Sequence, residues 1–172
     1  IPQAETPAEG ITETQSGTVS LSATAQMAGL LAKYSYLYKQ TEPAFSQECL
    51  RASQKAYRHM EQYRGNTDTY TWYFAATELF RATGQYKYRN AIREYDAMEV
   101  GLKSRSAQNY TILADFTYLS TNYGTDYNRC AMLLEGYMER AQEISVNATK
   151  EHFYVHPDVA IMSDGDILDD MI

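Results

Sequence analysis

The residues able to do chemistry are few and scattered. Asp158, Asp164, Asp166, Asp169 and Asp170 gather near the C-terminal end. Hard oxygen ligands of this kind suit calcium, but Asp164-Gly-Asp-Ile-Leu-Asp-Asp lacks the loop spacing of an EF-hand. Helix capping accounts for them more simply: Asp164 or Asp166 sits at the cap, and the later acids lie in the first turn against the helix dipole. No metal site is expected. His59, His152 and His156 are the only histidines. Imidazole can shuttle protons or bind metal. However, His59 falls mid-helix, the other two flank a proline loop, and no pair shares a helix face. Cys49 and Cys130 make neither a metal site nor a CxxC motif, and read as two buried small apolar residues or as one disulfide of an exported protein. No GxSxG, HExxH or phosphate-cradling loop occurs. Sixteen tyrosines, five phenylalanines and one tryptophan remain. Such rings stack on sugar faces, although packing between helices is the commoner use. No catalytic residue and no cofactor is expected within the chain.

Length and charge narrow the classes. A chain of 172 residues suits one domain. The net charge of −7 comes from the ends: residues 1–20 and 151–172 hold nine acids and no Lys or Arg. The remaining 13 acids and 15 bases leave the middle at about +2, with no basic stripe. Nucleic acid is therefore a poor partner, because phosphate binding needs clustered cations. No apolar run approaches the ~18 residues of a membrane span, so a soluble chain with no membrane partner is expected. The start Ile-Pro-Gln, without Met or a signal-like core, reads as a mature or excised segment.

The elements that must position these residues are helical. Residues 1–18 are a Pro/Thr/Glu/Gly stretch and read as a linker or extended N-terminal segment. Residues 19–172 read as a helical-hairpin domain. Helix one spans about Ser20 to Tyr38, with Leu21, Ala25, Ala28, Leu31, Ala32, Ser35 and Tyr36 on one face. Helix two runs from Pro43 to about Tyr63, with Phe45, Cys49, Ala52, Ala56, Tyr57 and Met60 inward. Helix three covers Thr69 to Thr83, buries Tyr73, Ala76 and Phe80, and is capped by Gly84. Helix four is expected over Tyr86 to Val100, followed by a polar loop through Asn109. Helix five covers Tyr110 to Tyr123. Helix six starts after Thr125 or Asp126 and reaches Ala148, with Tyr127, Cys130, Ala131, Leu134, Tyr137, Met138, Ala141 and Ile144 at helical spacing. His152 to Val159 looks extended, and Asp164 to Ile172 begins a last helix. No segment alternates with period two. The fold class is all-α: three tandem antiparallel hairpins, one with two, three with four and five with six.

These segments carry a family resemblance. Val19-Ser-Leu-Ser-Ala-Thr-Ala-Gln-Met-Ala-Gly-Leu-Leu-Ala-Lys resembles a helix of glycoside hydrolase family 9. Phe45-Ser-Gln-Glu-Cys-Leu-Arg-Ala-Ser-Gln-Lys-Ala-Tyr is similar to the helix that follows it there. Ala75-Ala-Thr-Glu-Leu-Phe-Arg-Ala-Thr-Gly-Gln-Tyr-Lys-Tyr looks like the family's Trp-Ala-Ala-Ala-Glu-Leu-Tyr…Thr-Gly-Asp…Tyr signature. Met162-Ser-Asp-Gly-Asp-Ile-Leu-Asp-Asp-Met resembles the family's Trp-Gly-Ser-Asn and the helix after it. The likeness covers about residues 18–172. It implies roughly half of a six-hairpin α/α toroid from a secreted, cellulase-like enzyme that hydrolyses β-1,4-glucan with inversion. The family's Asp-Ala-Gly-Asp motif lies before the matched region and its catalytic Glu after it. Inversion needs an acid and a base ~6.5–9.5 Å apart, so the chain alone is expected to be inactive. The family's Asp-Glu-x-x-Trp is replaced here by Tyr70-Thr-Trp-Tyr-Phe74. Trp72 and Phe74 lie beside the motif that faces the family's cleft, and the resemblance implies that they touch sugar in an intact toroid.

A second reading, a non-catalytic helical scaffold that binds a protein or a glycan, also fits the missing carboxylates. Such a scaffold should end on a capped polar helix. The chain instead stops inside an apparent helix at Ile172, which favours truncation. A tetratricopeptide array fits less well, because its 34-residue period is absent. The expected partner is a polysaccharide or oligosaccharide bound by the intact parent. An isolated half-toroid exposes faces meant for other hairpins, so the purified chain is expected to self-associate.

Overall fold

A computed structural model describes residues 20–63, 69–95 and 108–150. Among these residues the regular structure is all helix: α1 (Leu21–Leu37), α2 (Pro43–Gln62), α3 (Thr69–Thr83), α4 (Tyr86–Arg93), α5 (Gln108–Leu119) and α6 (Tyr127–Lys150). No described helix is long and apolar enough to cross a membrane. The expected linker over 1–18, the extended run after His152 and the terminal helix lie outside the described residues.

Small side chains set the first hairpin. Ser20 caps α1, its hydroxyl accepting from the Ala23 N–H at 3.2 Å. The inward face of α1 is Ala25, Ala28, Gly29, Ala32 and Ser35, a stripe with almost no bulk. α2 answers with Ser46, Cys49, Ser53, Tyr57 and Met60. With little side-chain volume between them, the serine hydroxyls reach the opposite backbone. Ser53 donates to the Ala28 carbonyl at 2.6 Å, and Ser46 to the Ser35 carbonyl at 2.7 Å. Serine is thus inward where Phe45 and Ala52 were expected. Phe45 is 42% exposed and packs edge-on to the Tyr38 ring, while Ala52 is exposed. Pro43 opens α2, where its missing N–H loses nothing.

α3 is the hub. Every residue from Thr71 to Phe80 is buried, so the helix has no solvent face along nearly three turns. α1, α2, α4 and α5 all pack against it. α1 approaches closely because Gly29 leaves a notch that the Phe74 ring fills; a Cβ there would overlap the ring edge. At the other end, Gly84 turns the chain with φ of +67° and donates its N–H to the Phe80 carbonyl at 2.7 Å. Glycine adopts that left-handed geometry without the strain other residues would carry.

The later helices depart from expectation. α4 stops at Arg93, and Tyr95 leaves the helix to lie flat on the Tyr73 ring, 4.0 Å away and 4° from parallel. The remainder of the expected helix, 96–100, lies outside the described residues. α5 begins at Gln108 and ends at Leu119, inside the expected boundary at Tyr123. Ser120-Thr-Asn-Tyr-Gly then makes a turn, which the Asp126 N–H closes by donating to the Tyr118 hydroxyl at 2.8 Å. Asp126 caps α6, its carboxylate accepting from the Arg129 N–H. Of the residues at helical spacing along α6, Tyr127, Leu134 and Met138 are 84%, 50% and 71% exposed, and Leu133 beside them is buried. α6 touches α5 sparingly, so the third hairpin is far more open than the first. α1 likewise presents Met27, Leu30, Tyr34 and Leu37 outward.

Adding the missing methyl at the notch tests the close packing of α1 on α3. Gly29→Ala gains about 1 kcal/mol of helix propensity. Forced contact with a fully buried ring costs about 1–3 kcal/mol, and given the overlap that loss should dominate. The expected result is a lowered urea midpoint, partly recovered when Phe74→Leu is added. A midpoint unchanged by Gly29→Ala would show that the ring yields freely.

Candidate functional site

Two buried carboxylates stand at the junction of α3 with its neighbours. Asp115 on α5 is 1% exposed. The Tyr73 hydroxyl of α3 donates to its Oδ1 at 2.6 Å, and the Tyr137 hydroxyl of α6 donates to its Oδ2 at 2.8 Å. Thr111, one turn before Asp115, lies with its hydroxyl 3.4 Å from that of Tyr95. Arg129 donates from Nη1 to the Tyr95 carbonyl at 2.9 Å. Its guanidinium sits over the rings of Tyr73 and Tyr118, 5.4 and 5.5 Å from their centroids. Burial pushes the Asp115 carboxyl up to about 6, against the pull of the two tyrosine hydroxyls and Arg129. The tyrosines move the same way. Burial raises Tyr73 and Tyr137, with the Asp115 charge adding to it, and takes Tyr95 to about 12.

Glu78 on α3 is fully buried. Arg81, one turn on, donates from Nη2 to Oε2 at 2.5 Å, and the Thr117 hydroxyl of α5 donates to Oε1 at 2.9 Å. The Arg81 guanidinium lies 4.5 Å over the Tyr36 ring of α1. Burial raises the Glu78 carboxyl above its ordinary range, opposed by Arg81, Thr117 and Lys33.

A general acid or base must face its substrate with a free lone pair or proton. Each of these carboxylates has both oxygens engaged by protein donors and almost no exposure. They therefore act on the protein: each ties α3 to α5, and Asp115 also ties in α6. Neither was singled out from sequence as a functional residue. A usable signal existed for Asp115, because Thr111, Ala114, Asp115 and Tyr118 follow the three-and-four spacing of one buried face.

The residues expected to touch sugar are in the core. Trp72 is 3% exposed and Phe74 is 0% exposed, the latter between Gly29 and the Tyr110 ring. His59 is exposed and rests against the Tyr63 ring. Cys49 is buried, Cys130 half-buried, and both are free thiols. Among the described residues no three His, Cys, Asp or Glu side chains gather as a metal would need. His152, His156, Asp158 and the later acids lie outside the described residues.

The Glu78 pair carries a pH-dependent expectation. The folded-state pKa of Glu78 lies above its unfolded value. Its favourable contribution is therefore full below the unfolded carboxyl range, about 4.3, and is lost as pH rises through the folded pKa. Arg81→Met removes the partner cation, so it should destabilise the chain by about 3–5 kcal/mol at pH 8, where a lone buried carboxylate must persist. The loss should be clearly smaller at pH 5. Urea denaturation at both values checks this, and equal losses would contradict it.

The model of glycosyl hydrolase family 9 matches residues 2–165. The crystal structure of GH family 9 endoglucanase J30 superimposes with a TM-score of 0.65 at 24% identity, over 76% of this chain and 27% of that one. The Zn-binding triple mutant of the same endoglucanase gives the same values. The chain thus spans 27% of the length of these solved structures. No curated protein sequence matches it.

Proposed function

The chain belongs to glycosyl hydrolase family 9, and on that premise we propose that it is a wall segment of a secreted enzyme hydrolysing β-1,4-glucan with inversion. The observation that carries this reading is the family match along nearly the whole chain, together with an all-helical fold like that of an endoglucanase. The segment supplies shape. Its two described core carboxylates are saturated by protein donors, and this reading assigns the catalytic Asp pair and the catalytic Glu to other parts of the parent polypeptide. α3 is an interior helix in this arrangement, and the Asp115 and Glu78 junctions hold its neighbours in register. Trp72 and Phe74 serve as packing residues. Secretion follows from the general extracellular habit of the family.

The test compares the isolated chain with its parent polypeptide on a soluble β-1,4-glucan. The isolated chain should release no reducing ends above background, and the longer protein should release them with inverted anomeric configuration, read by proton NMR. Measurable hydrolysis by the isolated chain would overturn its assignment as a non-catalytic wall.

The open faces give a second expectation. Met27, Leu30, Tyr34 and Leu37 on α1, and Leu134 and Met138 on α6, are apolar and exposed. Exposed apolar stripes of this kind drive association. Light scattering on the purified chain should show species larger than a monomer, increasing with concentration. A sharp monomer peak across the concentration series would contradict it.

A further inference from the structure

The three hairpin turns meet at one end of the bundle, where α1, α3 and α5 finish and α2, α4 and α6 begin. Two contacts pin them there. The Arg81 guanidinium near the end of α3 lies over the Tyr36 ring near the end of α1. The Tyr123 ring of the α5–α6 turn covers Gly84 in the α3–α4 turn and sits 5.9 Å from the Phe80 ring. At this end the first turn of each even helix carries an aromatic residue: Phe45 on α2, Tyr86 on α4 and Tyr127 on α6, at a constant interval of 41 positions. All three are exposed, as are Tyr38, which stands edge-on to Phe45, and Tyr123.

We propose that this turn end is a carbohydrate-binding platform: the exposed rings of successive hairpins hold an extended β-1,4-glucan chain without cleaving it. The choice of glucan rests on the reading of the parent given above. A sugar ring has apolar faces and a rim of hydroxyls, so it is met by aromatic faces with neutral polar groups between them. The turns supply both. Among the rings stand Gln40, Thr41, Gln85 and Asn122, whereas the charged residues of 38–45, 83–86 and 120–127 are Lys39, Glu42 and Asp126. Asp126 is already engaged in capping α6. The surface is thus close to neutral, which matches an uncharged polyol and leaves phosphate-bearing ligands without the clustered cations they require.

The rings are set apart from the surfaces that suit a protein neighbour. The exposed aliphatic side chains run along helix sides, Met27 and Leu30 on α1 and Leu134 and Met138 on α6, with Leu37 at the border. Apolar stripes of that kind are covered by other polypeptide. Rings fringed by amides and hydroxyls suit instead a ligand that is apolar on its faces and polar at its edges. The ligand must also be long. Packed helices lie about 8–10 Å apart, so rings on successive hairpins are bridged by a chain of sugars and not by a single one. A β-1,4 chain is extended and can follow such a row, whereas an α-1,4 chain coils away from it. Gly84 builds the arrangement into the fold, since a Cβ there would collide with the Tyr123 ring.

Affinity electrophoresis of the full chain in native gels cast with a soluble β-1,4-glucan tests the platform, with a glucan-free gel as reference. The wild type should be retarded as glucan increases. Tyr86→Ala and Tyr127→Ala, at exposed positions, should leave the urea midpoint unchanged. Each should weaken binding by about 2–10-fold, and the double variant by more than either. An unretarded wild type, or undiminished retardation of the double variant, would overturn the proposal, and so would equal retardation by a soluble α-1,4-glucan. If the double variant loses self-association in light scattering while the wild type ignores glucan, the row is a contact between copies and the platform fails. Hydrolysis by the parent polypeptide is read separately. A parent that cleaves β-1,4-glucan beside an unretarded segment defeats the platform alone, and ring-dependent retardation beside an inactive parent defeats the enzymatic reading alone.

Discussion

A helix without a wet side dictates the architecture. From Thr71 to Phe80 every residue of α3 is enclosed, so neighbours must cover it on all sides, and they must do so without leaving buried polar groups unmet. Hydrophobic burial drives the covering, but Thr71, Thr77 and Glu78 lie in the same enclosed run. Thr77 satisfies itself by donating to the Tyr73 carbonyl one turn back. Glu78 cannot, and draws in Arg81 and Thr117. The polar demand of one helix thus specifies the partners that its apolar surface alone would leave interchangeable.

The two carboxylate junctions are alike in plan and different in consequence. Glu78 has a cation bonded directly to it, so its charge is balanced where it forms. Asp115 has two hydroxyls bonded to it and a cation stacked over adjoining rings, so its ionised form is hydrogen-bonded but weakly balanced. That difference separates a carboxylate bonded to a cation from one bonded to hydroxyls. It also explains why the tyrosines concentrate here. A phenol is bulky enough to fill a helix crossing and carries one polar atom to reach the acid.

Much of the scaffold was legible in the residues. α3 has the boundaries its periodicity predicts, and α1 and α2 lie within a residue or two of theirs, because caps, Pro43 and Gly84 mark them locally. The faces were harder to read. Ser46 and Ser53 are inward because α1 is so thin that a hydroxyl can bond its carbonyls, a circumstance no property of α2 discloses. Tyr95 leaves α4 because a ring stack and Arg129 hold it elsewhere. Asp115 drew no notice because its partners stand 42 and 22 positions away. The assignment of Trp72 and Phe74 to sugar contact followed motif position, whereas their placement follows from the enclosure of the whole helix.

The notch at Gly29 has one more consequence. α1 has a single glycine, and the Phe74 ring occupies the space beside it. Sliding α1 along α3 by one turn would bring Ala25 or Lys33 to the ring, and each carries a side chain where the ring must sit. A stripe of alanines is nearly uniform along its length and would tolerate several offsets. The one absent methyl removes that degeneracy, so that a helix otherwise smooth enough to glide has a single longitudinal address.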